Sequence, residues 1–123
     1  MTTDWRTLPA GFPLDTLVAG RVMGWCYGEN GGWRNADNSW AQPVSTFCPS
    51  TTVDGMLLVL AEMRGRGYVG RIVQADDGGW VVDYSILADD GTYRVLGRAE
   101  FGNVRDIPYA VCRAALAALE RER

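Results

Sequence analysis

At 123 residues the chain has the size of one domain around one core, and 47% hydrophobic with 22% charged residues excludes a disordered tail. A formal charge of −3 argues against a dedicated nucleic-acid binder, which needs a local basic surplus. There is no histidine and all 12 basic residues are arginine, so the near-neutral general base, the commonest metal ligand, the Schiff-base amine and the phosphate-loop lysine are all missing.

The opening MTTDWRTLP has neither the basic patch nor the apolar stretch of a leader, so export is not expected and the cytoplasm is. Residues 1–13, with Thr2, Thr3, Pro9, Gly11 and Pro13, read as an N-terminal extension on which Trp5 and Phe12 dock against a single α+β domain over 14–123. From Leu14 the pattern turns helical, with Leu17, Val18, Val22 and Trp25 continuing one apolar stripe. Gly20 and Gly24 each weaken that helix by about 1 kcal/mol against alanine and predict close approach of another backbone.

WCYGENGGW follows, with strand-forming residues on both sides of Glu29-Asn30-Gly31-Gly32, and Asn-Gly is a strong tight-hairpin signal. RNADNSW supplies a second turn, where Asn35, Asp37 and Asn38 suit positive φ, and residues 41–50 run through Pro43 and Pro49 as an irregular connection. A second helix starts near Thr51, which stands at capping-box spacing from Asp54; Val53, Met56, Leu57, Leu60 and Met63 form its expected buried face, and Gly65 and Gly67 its stop. The apolar run Met56 to Ala61 is far too short to span a bilayer.

Three strands come next. VGRIVQA leads through Asp76-Asp77-Gly78-Gly79 to WVVDYSIL, and that through Asp89-Asp90-Gly91 to TYRVLGRAEF, an antiparallel meander. Trp80, Val82, Tyr84 and Ile86 share one face of the middle strand; Tyr93, Val95, Gly97, Ala99 and Phe101 share one face of the last. The chain closes on DIPYAVCRAALAALERER, a helix with Asp106 as N-cap, Pro108 in its first turn, a stripe of Tyr109, Cys112, Leu116 and Leu119, close-packing Ala115 and Ala118, and a solvated ERER end. The predicted order is helix, short hairpin, helix, three-stranded meander, helix: a layered α+β fold.

The residues with chemistry are few. The Gly28–Gly32 glycines follow a helix and precede a strand, without the lysine of a phosphate loop, so they read as a turn. The Asp76/Asp77 and Asp89/Asp90 pairs belong at opposite ends of a strand crossed once, which separates them as a metal or acid–base site. Asp83, amid Trp80, Val82 and Tyr84, is the unusual carboxylate and reads as a cross-strand partner of Arg71, Arg94 or Arg98. Cys26, Cys48 and Cys112 are odd in number and widely spaced, so they read as buried reduced thiols; no zinc or other metal site and no cofactor is expected. The remaining option is a ligand surface, with Arg71, Arg94 and Arg98 for phosphate and Trp25, Trp33 or Trp40 for stacking; the competing reading puts the tryptophans in the core and pairs the arginines with nearby acids. Residues 51–120 also follow the element order of a double-stranded RNA-binding domain, but Asp106-Ile107-Pro108-Tyr109 stands where that module opens its last helix with basic residues.

LDTLVAGRVMGW (14–25), PSTTVDGMLLVLAEM (49–63) and IPYAVCRAALAAL (107–119) resemble the three helical blocks of the phage ABA sandwich domain, a family of small phage and prophage proteins, over residues 14–119. This chain departs from that pattern in a longer aromatic stretch before the second helix and in longer meander turns. The resemblance implies a layered α/β domain encoded by a virus or prophage, and it carries no catalytic residues to transfer. It implies a non-enzymatic accessory protein that acts by binding in the host cytoplasm, as an anti-defence factor sequestering a nucleotide signal. The alternative is an inhibitor that covers a host defence protein with an exposed aromatic and acidic surface. A homo-oligomer is expected; a membrane or nucleic-acid partner is not.

Overall fold

The structure, a computed structural model, describes residues 4–28 and 30–122; Thr2, Thr3, the turn residue Glu29 and the terminal Arg123 of ERER lie outside them. In chain order it contains α1 (Phe12–Arg21), β1 (Cys26–Tyr27), β2 (Gly32–Arg34), β3 (Trp40–Pro43), α2 (Val53–Gly65), β4 (Val69–Gln74), β5 (Trp80–Leu87), β6 (Tyr93–Phe101) and α3 (Ile107–Glu122), with single 3-10 turns at Trp5–Thr7, Val44–Thr46 and Val104–Asp106. The fold is α+β, with two antiparallel sheets ordered β1-β2-β3 and β4-β5-β6. Among the described residues no helix is long and apolar enough to cross a membrane.

Helix α1 begins two residues earlier than Leu14, because Pro13 fits the first turn, where its missing N–H has no helical partner to lose. Leu14, Val18, Ala19 and Val22 are fully buried. Trp25 is not part of that stripe. The helix stops at Arg21, and Gly24 at φ 72 turns the chain into a conformation that other residues disfavour. The close approach expected at Gly20 and Gly24 is absent, since nothing lies within van der Waals reach of either Cβ position. Trp5 docks as expected, but Phe12 is 63% exposed.

The aromatic stretch builds three strands instead of a two-stranded hairpin. Gly28 N–H donates to the Gly32 carbonyl at 2.7 Å and Gly31 takes φ 70, so these glycines close the β1–β2 turn. Asn38, at φ 69, makes the second turn. Residues 41–43, the start of the stretch expected to be irregular, join Trp40 in β3, where Trp40 lies across β2 into the space left by Gly32. Pro43 ends that strand on the sheet's edge, where a missing donor is tolerated.

Helix α2 is capped by Thr52 rather than Thr51; its side chain accepts from Gly55 N–H at 3.2 Å. The buried face also differs from the expected one. Gly55 lies against the Cys48–Pro49 backbone with no room for a side chain, which rolls Met56, Val59 and Met63 inward. Val53 and Leu57 therefore face outward, more than half exposed, with Leu58 beside them.

The meander forms as predicted, and its Asp-rich turns sit at opposite ends of β5. Face alternation holds up to Tyr84↔Gly97 and then shifts, because the next pair is Ser85↔Val95 and Leu96 is the extra residue of a bulge. Leu96 is consequently buried, while Tyr93 and Val95, expected to share a face with Gly97, Ala99 and Phe101, turn to the opposite face and are exposed. Helix α3 lies across β5 and β6, so close to β6 that a Gly97 side chain would meet the backbone of Ala114 and Ala118. Asn103 caps the 3-10 turn Val104–Asp106 that leads into α3, its side chain accepting from Arg105 N–H at 2.9 Å.

Candidate ligand cavity beside α3

The arginines and tryptophans proposed from sequence do not converge. Arg71 grips Asp83 bidentately, Nε to Oδ1 at 3.0 Å and Nη2 to Oδ2 at 2.8 Å. Asp83 is only 4% exposed on the central strand, and the pair raises the Arg71 pKa through that hydrogen bond. Arg98 stands opposite Asp83 in register but donates to Glu100 at 2.9 Å, and Arg94 is exposed beyond the bulge, opposite Ile86. Trp33 is buried, with Nε1 lacking a partner among the described residues. Trp25 packs edge-on against Phe47 at 4.8 Å, and Trp40 is half exposed beneath the Arg34 guanidinium. The tryptophans thus serve the small sheet, and the arginines lie along the large one.

The same chemistry is assembled elsewhere. A cavity of about 570 Å³ opens between the head, β6 and the first half of α3, lined by Trp5, Arg6, Arg98, Phe101, Tyr109 and Arg113 among others. Trp5 supplies its rigid wall. The indole is 5% exposed and its Nε1–H donates to Glu120 at 2.8 Å, while Arg6 donates to the other carboxylate oxygen at 2.7 Å. Those two bonds, Arg6 first, hold the Glu120 carboxyl below the usual range. Tyr109 donates to the Leu8 carbonyl at 2.8 Å and so ties the head to α3.

Arg113 differs from its neighbours. Its guanidinium lies over the Trp5 and Tyr109 rings, at 5.9 and 5.4 Å from their centroids, and donates to the Tyr109 hydroxyl at 3.1 Å. Arg6 and Arg98 are paired with Glu120 and Glu100, whereas Arg113 has no carboxylate partner among the described residues. The site therefore offers one preorganised, uncompensated cation between aromatic rings. Glu100 and Asp106 also line the cavity and disfavour a ligand that spreads negative charge across all of it. Arg113 is legible in the sequence only as a polar break in an alanine-rich helix, and Trp5 only as a docking residue.

Asp15, on the buried side of α1, was not singled out by its pattern. It is 5% exposed and accepts the Ser50 backbone N–H at 2.9 Å, while Ser50 Oγ accepts Gly11 N–H at 2.9 Å. Burial raises its pKa and the Ser50 bonds only partly oppose that. A carboxyl with a raised folded pKa contributes no penalty below its unfolded value, near 3.9, and costs stability as pH climbs through the folded value. Asp15→Asn keeps the acceptor and cannot ionise, so its stability relative to wild type is expected to improve as pH rises above about 4. Urea unfolding of both proteins across that range checks this; a pH-independent difference contradicts it.

The three cysteines are free: Cys112 is buried, Cys48 is partly covered, and Cys26 is exposed. The expectation of three buried thiols thus holds only for Cys112, since the two-residue strand carrying Cys26 lies on a sheet edge. Among the described residues no three His, Cys, Asp or Glu side chains are grouped to hold a metal. Compared with protein-family models, curated proteins and solved structures, the chain matches none.

Proposed function

We propose that this protein acts by binding, and that its ligand is a small anion carrying a flat aromatic group, a nucleotide, held in the cavity beside α3. The observation that carries the reading is Arg113, preorganised over Trp5 and Tyr109 without a carboxylate to neutralise it. Guanidinium groups pair with phosphate oxygens through parallel N–H donors, and aromatic faces stack on bases. A volume of about 570 Å³ lies within the range of small-molecule sites. In the phage or prophage setting implied by the resemblance, such binding sequesters a nucleotide signal of host defence. The six residues suggested by sequence are replaced in this reading by Trp5, Phe101, Tyr109 and Arg113, with Arg98 alone retained.

Titration calorimetry with a panel of linear and cyclic nucleotides tests the proposal. One member is expected to bind and to raise the melting temperature, and Arg113→Ala to weaken it by roughly tenfold to a hundredfold with little change in stability. Absence of heat and of any melting shift across the panel overturns it.

A further inference from the structure

The free edge of the large sheet is unusually bare. All six residues of β4 are exposed, with Val69 at 43%, Ile72 at 38% and Val73 at 47%. Edge strands are normally blunted by proline, bulges or projecting charge. β4 has no proline and pairs with β5 without a register break, and its one charge, Arg71, is turned inward to Asp83. The opposite edge, β6, carries the bulge together with Arg94, Arg98 and Glu100.

The direction of the β4 backbone groups follows from the ladder. Ala75 N–H donates to Gly79 O, so Ala75, Val73, Arg71 and Val69 address β5, and Gly70, Ile72 and Gln74 present their N–H and C=O groups outward. An apolar flank runs beside this edge. Leu60 of α2 packs over Gly70, and Val53, Leu57, Leu60 and Arg64 follow one another at helical spacing. Leu60, Arg64, Tyr68, Val69 and Gly70 share one groove, so the outward-rolled face of α2 continues into the strand edge.

We propose that β4 pairs antiparallel with β4 of a second copy about a two-fold axis at Ile72, joining the two three-stranded sheets into one. That register uses every outward group: Ile72 bonds to its own symmetry mate, and Gly70 to Gln74 of the other copy. Registers centred on Arg71 or Val73 leave one of the three residues unpaired. Charge supports the same occupant. Arg64 lies beside the Val69–Gly70 end of the strand, and Asp76 follows its other end; neither has an ionic partner among the described residues. The antiparallel two-fold brings each Arg64 to the Asp76 turn of the other copy, and it sets the exposed Val53–Leu57 stripes of the two α2 helices side by side.

Sedimentation velocity over a concentration series, with amide hydrogen exchange, tests the interface. The wild type is expected to dimerise, with exchange at Gly70, Ile72 and Gln74 slowing as concentration rises while Arg71 and Val73 stay protected throughout. Ile72→Lys is expected to raise the dimer dissociation constant by about tenfold or more without lowering the monomer's melting temperature, since it places two like charges face to face. Arg64→Glu and Asp76→Arg should each weaken the dimer and together restore it. A wild type that remains monomeric, or a dimer indifferent to Ile72→Lys and to both charge changes, overturns the proposal.

Discussion

Gly97→Ala is expected to destabilise the protein by about 3 kcal/mol or more, and Gly97→Val by more again. The added Cβ would collide with the carbonyl oxygen of Ala114 and the amide nitrogen of Ala118, so α3 would have to lift from β6. Backbone on both sides of the contact leaves no side chain free to move aside. That displacement would open the contact surrounding Val111, Cys112 and Ala115, all fully buried. Gly20→Ala provides the contrasting control. It lies exposed in α1 with nothing within reach of its Cβ, so alanine should stabilise by about 0.5–1 kcal/mol. Chemical denaturation of the two variants decides the matter; a Gly97→Ala cost below that of an ordinary surface change would contradict the close packing described above.

The second large effect is expected at Trp5. Trp5→Ala should cost about 3–4 kcal/mol, because an indole buried to 5% exposure is removed together with its hydrogen bond to Glu120. Trp5→Phe should lose about 1 kcal/mol, retaining most of the apolar contact but not the Nε1–H donor. Both changes remove part of the ring system beneath Arg113, so ligand binding should weaken in each, more in the alanine variant. Equal denaturation midpoints for Trp5→Ala and wild type would show that the head does not contribute to the core. Trp5 belongs to the buried core, and the head is tied down additionally by the Tyr109 hydroxyl donating to the Leu8 carbonyl.

The contrast between these two residues shows how far the sequence could be read. Element order, the meander, its turns and the α3 stripe were legible because each rests on local periodicity and on Gly, Asn and Asp at turns. The Arg71–Asp83 pair was legible as well, since cross-strand geometry limits a mid-strand carboxylate to few partners. The cavity was not. Trp5 and Arg113 are 108 positions apart, too far for any spacing rule, and they meet only because the head folds back onto α3. Glycines gave the same lesson: Gly20 and Gly24 promised a close approach that Gly55 and Gly97 make instead, and sequence does not say which glycine faces a neighbouring backbone.

By itself, then, the sequence determined the α+β class, the antiparallel meander and the narrow repertoire left to a chain without histidine or lysine, because composition and period are local properties. Tertiary structure alone decided which face of α2 is buried, where the bulge turns Tyr93 and Val95 outward, and which of the cavity's arginines stands without a carboxylate. The reason is physical. Helical and strand periods specify that a face is apolar, but the partner that covers it is chosen by backbone contacts such as Gly55 on Pro49 and Gly97 on α3, between residues whose proximity exists only in the folded chain.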